Sequence, residues 1–119
     1  MALKIGKKNT RTFNASLVEP LDMDGKKTHS IEVEMKVFDK SEWERMTKVE
    51  KLSDQEILEK SLTRCIGLVD EHDQPLAFDD DSKKALLECP WVASGLIQYQ
   101  LGIQRGQTTE AIRAVILGN

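Results

Sequence analysis

Apolar and polar residues alternate from Ile31 onward, with Ile31, Val33, Met35 and Val37 on one side and Glu32, Glu34, Lys36 and Phe38 interleaved. A period of two sends successive side chains to opposite faces of an extended chain, so this segment predicts a strand with one buried face. Thr12 to Val18 is rich in β-compatible residues. Pro20 predicts the end of that first strand, and Asp24-Gly25 the positive-φ residues of a tight reversal, so 12–38 reads as an antiparallel hairpin. Lys4, Lys7, Lys8 and Arg11 dominate residues 1–11, which are expected to form a flexible basic arm.

From Lys40 the period becomes helical. Ser41-Glu42-Trp43-Glu44 fits a capping box that would start a short helix running toward Lys48, and Ser53-Asp54-Gln55-Glu56 repeats the device. After the second box, Ile57, Leu58, Leu62, Cys65 and Ile66 form an apolar stripe for a helix of about three turns. Gly67 loosens the backbone there, and Ile66, Leu68 and Val69 fit a short strand as well. Asp70 to Pro75 is turn-like. Asp79, Asp80 and Asp81 crowd the start of a helix containing Ala85, Leu86 and Leu87, where carboxylates meet the partial positive charge of the helix N-terminus. Cys89-Pro90-Trp91 ends that helix and opens the next, because proline suits the first helical position and disfavours helix in the residue before it. Val92, Leu96, Tyr99 and Ile103 then form one buried stripe. Gly102 and Gly106 weaken the end of this helix, and Thr109 to Leu117 predicts one or two further helical turns with Ile112, Val115 and Ile116 grouped. The fold class expected is α+β: an N-terminal hairpin packed with about four short helices over 40–117, in one domain spanning 12–119.

At 119 residues the chain suits a single core. Its 39% hydrophobic content is somewhat low beside 31% charged residues, which suggests a thin core and a partner. A net charge of −3 provides no basic footprint for phosphate, so nucleic acid is not expected. No apolar run approaches the ~20 residues needed to cross a bilayer, and no secretory h-region follows the basic start. A cytosolic location with both thiols, Cys65 and Cys89, reduced is therefore expected.

Acid-base chemistry would draw on Asp70, Glu71, His72, Asp73 and Asp79 to Asp81, but clustered like charges in turn sequence normally face water. Asp22, Asp24 and Gly25 resemble a fragment of a calcium loop whose other ligands, including the closing Glu, are missing from their places. His29 and His72 are far apart in sequence, no CxxC pair occurs, and neither cysteine has a neighbouring histidine, so neither a metal nor a cofactor is expected. The segment GIQRG lacks the Gly-Lys-Ser or Gly-Lys-Thr ending of a phosphate loop. An enzyme is not expected. Trp43, Trp91 and Tyr99 are open to two readings, core packing or a binding anchor.

Ile66-Gly67-Leu68-Val69-Asp70, then Gln74-Pro75-Leu76-Ala77-Phe78, then Ala85-Leu86-Leu87-Glu88-Cys89-Pro90-Trp91-Val92 resembles the order of motifs in the tail assembly chaperones of long-tailed bacteriophages. The likeness covers roughly Ile31 to Ile103. It implies a host-cytoplasmic protein that coats the tape measure protein, keeps it soluble and helps recruit tail tube subunits, with no bond-making step. Homo-oligomers are compatible with it, membrane and nucleic acid are not implied, and the segment after Gly106 departs from the family's pattern, either as an extra helix or as the point where a longer frameshifted product would diverge. Partner contacts are expected at Trp43, Phe78, Trp91, Leu96, Tyr99 and Ile103. The alternative reading is a structural tail protein, such as a tail terminator or tube-completion protein, assembling through its hairpin edge.

Overall fold

The computed structural model describes residues 9–118. Its sheet has three antiparallel strands in the order β1-β2-β3, with β1 at Thr10–Pro20, β2 at Lys26–Lys36 and β3 at Leu62–Ile66. Five α-helices accompany it: α1 Lys40–Glu44, α2 Asp54–Ser61, α3 Asp80–Glu88, α4 Pro90–Gln104 and α5 Thr109–Ile116. The class is α+β. The expected basic arm lies mainly outside the described residues, but Thr10 and Arg11 belong to β1, where they pair with Lys36 and Met35.

Strict alternation along β1 and β2 gives the sheet one apolar face. Phe13, Ala15 and Leu17 of β1 and Val33 and Met35 of β2 point into the core. The reversal differs from the expected two-residue turn. Leu21 N donates to Gly25 O at 2.8 Å, closing a loop over Asp22–Asp24. The left-handed residue is Met23, at φ 60°, while Gly25 is extended at φ −75°. Because Lys26 pairs with Pro20, five residues rather than two span the reversal, and Gly25 is left in extended geometry at its end.

The third strand is the main departure from the helical reading of 57–66. The Ser53 capping box forms as expected, Ser53 Oγ accepting from Glu56 N while Glu56 Oε1 accepts from Ser53 N. The helix stops at Ser61, however, and Leu62 turns extended. Glu34 pairs with Arg64 but Met35 pairs with Leu62, so Thr63 is an extra residue, a β-bulge. The bulge lets both Leu62 and Cys65 face the core. A spacing of three on one face is what a helix would produce, which is why the periodicity misleads there.

The cap of α1 also shifts. Asp39 Oδ1, rather than Ser41, accepts from an early amide, that of Glu42 at 2.8 Å. Both are good cap residues, and the earlier one wins because Phe38 beside it is fixed. Gln104 Oε1 accepts from Phe38 N at 2.8 Å and Gln104 Nε2 donates to Phe38 O at 3.0 Å, a side-chain amide standing in for a neighbouring strand. After Glu44 the helix widens into a π-turn over Arg45–Val49, with Met46 fully buried. Asp79 and Ser82 form the reciprocal cap of α3, and hydrogen bonding to Ser82 holds the Asp79 carboxyl below its ordinary pKa.

Helix α4 crosses the apolar face of the sheet. Val92, Leu96, Tyr99 and Ile103 are all buried, as the stripe predicts. Two glycines set how closely it packs. A β-carbon at Gly95 would lie 2.5 Å from Leu17 Cδ2, and one at Gly102 the same distance from Ile112 Cδ1 of α5. Gly102 is thus a contact point rather than a weak end, and the helix continues to Gln104. Gly95→Ala is expected to cost ~1–3 kcal/mol by overpacking. In urea denaturation, the loss from combining it with Leu17→Ala should be smaller than the sum of the two single losses, since the second change vacates the space the added methyl needs.

Candidate functional site

β2 is paired along its whole length by β1, but β3 covers only Glu32 to Met35. Next to the bare half of β2 lies an apolar groove of about 380 Å³. Leu17, His29 and Ile31 of the sheet line it, together with Leu68, Val69 and Leu76, Ala85 and Leu86 of α3, and Trp91 and Val92 at the start of α4.

One side of the groove is a small hairpin that follows β3. Gly67, at φ 103°, takes the chain out of the sheet in a conformation that a side chain would strain. Leu76 N then donates to Leu68 O, Asp70 N donates to Gln74 O, and Val69 faces Pro75. Asp70 Oδ1 accepts from His72 N at 2.8 Å and Gln74 N at 3.0 Å, so this carboxylate organises the turn. Val69 and Leu76, both bordering the groove, are 53% and 44% exposed, a large share for apolar side chains of this size. They also border a second recess of about 590 Å³, along Thr63 to Ile66, that reaches Phe78.

Of the six residues expected to meet a partner, Trp91 lies on the groove, Phe78 on the second recess, and Trp43 apart from both. Trp91 stacks on His29 with ring centroids 5.2 Å apart, and His29 Nε2 donates to Glu19 Oε1 at 2.8 Å. Trp43 stacks on Phe38 at 6.2 Å. Leu96, Tyr99 and Ile103 are enclosed: Leu96 and Tyr99 have no exposed surface and Ile103 only 3%. The stripe they form serves the protein's own core, so in this fold it offers no face to a partner. Tyr99 packs on Phe13 at 5.0 Å, and its hydroxyl accepts from Ser16 N and donates to Ser16 O.

The groove residues that sequence reasoning missed are His29, Leu68, Val69, Leu76 and Leu86. Leu68, Val69 and Leu76 lie in short turn-like stretches without periodicity. His29 sits one alternation before the clear run begins at Ile31, and that spacing was the available signal. Among the described residues no three His, Cys, Asp or Glu side chains converge as metal ligands, and no helix is long and apolar enough to cross a membrane.

Cys89 borders the groove and is half-buried, whereas Cys65, in β3, is buried on the core face of the sheet. Desolvation pushes the Cys65 thiol up to about 11. Since the thiolate is the reacting form, iodoacetamide at pH 8 should modify Cys89 first, with Cys65 at least about tenfold slower until the protein is unfolded. Peptide mapping by mass spectrometry at successive times checks the order. Compared with known protein families, curated proteins and solved structures, the chain matches none.

Proposed function

We propose that the protein is a tail assembly chaperone of a long-tailed bacteriophage, working in the host cytoplasm by covering apolar segments of the tape measure protein and helping to bring tail tube subunits to it. The observation that carries this reading is the open apolar groove, whose borders include Leu68, Val69, Leu76, Ala85, Leu86 and Trp91. These are residues of the segments on which the resemblance to that family rests. A reversible chaperone needs apolar surface that can be covered and released, set among enough charge to stay dispersed. Val69, Leu76 and Trp91 meet that need beside the acidic turn Asp70–Asp73, with Phe78 and Trp43 as secondary contacts. The activity requires no catalytic group.

The rival reading, a tail terminator or tube-completion protein, would assemble through a hairpin edge. On the β1 side, Asn14 and Ser16 are already taken by Arg113 and by the Tyr99 hydroxyl, which weighs against that route there, whereas the apolar groove is what the chaperone reading calls for.

Co-expression with the tape measure protein that this reading calls for provides the test. The wild-type protein should hold the tape measure protein in the soluble fraction and co-purify with it, while Val69→Asp combined with Leu76→Asp should reduce co-purification about tenfold or more, a change of ~1.4 kcal/mol. Both positions are exposed, so circular dichroism should show an unchanged fold. A tape measure protein equally soluble without its partner, or recovery of this chain as a stoichiometric part of finished particles, would overturn the reading.

A further inference from the structure

In an antiparallel pair, residues alternate between those that exchange backbone hydrogen bonds and those whose amide and carbonyl point away. The Tyr99 hydroxyl meets both Ser16 N and Ser16 O, and Arg113 Nη2 donates to Asn14 O. Asn14 and Ser16 therefore direct their backbone groups off the outer edge of β1. Their opposite numbers, Glu32 and Ser30, must then direct theirs off the other side of β2, as must Thr28 and Lys26, paired with Val18 and Pro20. Glu32 uses them on Ile66. Along Lys26, Thr28 and Ser30 no strand follows, and among the described residues no backbone hydrogen bond reaches that side. All three residues are exposed.

The geometry points to a strand-addition site: an extended segment of another protein docks in line with β3 against Lys26–Ser30. Its backbone would pair with Thr28 and Ser30, and its alternate side chains would enter the apolar groove over His29, Ile31 and Trp91. Charge selects the occupant. Lys26 and Lys27 are exposed at the end of the site, and neither makes an ion pair among the described residues. An acidic end on the guest strand complements them. A second copy paired antiparallel through the same edge would set Lys26 opposite Ser30 rather than an acidic residue, and this chain's own residues 1–8 carry Lys4, Lys7 and Lys8, so neither complements the two lysines. The site does not depend on the tail-assembly reading, because unpaired backbone and an apolar trough recognise extension and alternation whatever the source of the guest.

Capped seven-residue peptides of alternating valine and threonine with two glutamates at one end, made in both sequence directions, are the probe. On adding the better of the two to the ¹⁵N-labelled full chain, the Thr28 and Ser30 amides should shift and become protected from exchange. Replacing the glutamates by lysines, or N-methylating alternate peptide amides, should each weaken binding about tenfold, as expected for loss of an ion pair or of two to three ladder hydrogen bonds. Thr28→Pro removes only an outward donor and should abolish protection at Ser30. Lys26→Glu combined with Lys27→Glu keeps every strand pairing and should reverse the preference toward the lysine peptide. Equal binding of all peptides, shifts confined to other residues, no binding, or concentration-dependent dimerisation that Thr28→Pro abolishes would each overturn the proposal, the last by making the occupant a second copy.

Discussion

The close seating of α4 on the sheet governs most of what the molecule can do. Gly95 lets the helix axis come within contact of Leu17, and from that distance Tyr99 can reach across the core to the margin of β1. The next residue, Gln100, donates from Nε2 to Lys36 O, and one turn on Gln104 brackets the backbone of Phe38. A single helix thus fills the core, satisfies exposed strand groups at one side and fixes where β2 ends and α1 begins. Buried amides of this kind are costly to leave unpaired. The geometry of the whole sheet face therefore follows from how near α4 can approach.

Regular periods were legible in the sequence. The alternation at Ile31–Val37, the Ser53 box, the acidic start of α3 and the Cys89-Pro90 junction each identified an element because the same residues decide both local conformation and burial. The third strand was obscured because the Thr63 bulge gives extended residues a helical spacing. The cap at Asp39 was displaced by a tertiary contact, the Gln104 amide on Phe38, which no local pattern around Ser41 reveals. Left-handed Met23 has no compositional signal at all.

The candidate site divides in the same way. Trp91 and Phe78 could be singled out because large aromatics beside breaks in the pattern are few. Leu96, Tyr99 and Ile103 could not be assigned correctly from their stripe, since a periodic apolar face looks alike whether it meets the protein's own sheet or a partner. What the sequence could not express is the shortness of β3. The groove exists because a five-residue strand lies beside an eleven-residue one, and that mismatch emerges only when register is known.

The Tyr99 and Arg113 contacts on Ser16 and Asn14 have an effect on stoichiometry. A sheet with two free margins can be extended indefinitely, each newcomer presenting the next landing place. Here the middle of one margin, at Asn14 and Ser16, is occupied from within by side chains of the same polypeptide. A newcomer there would have to displace them, which works against runaway fibre formation through that side.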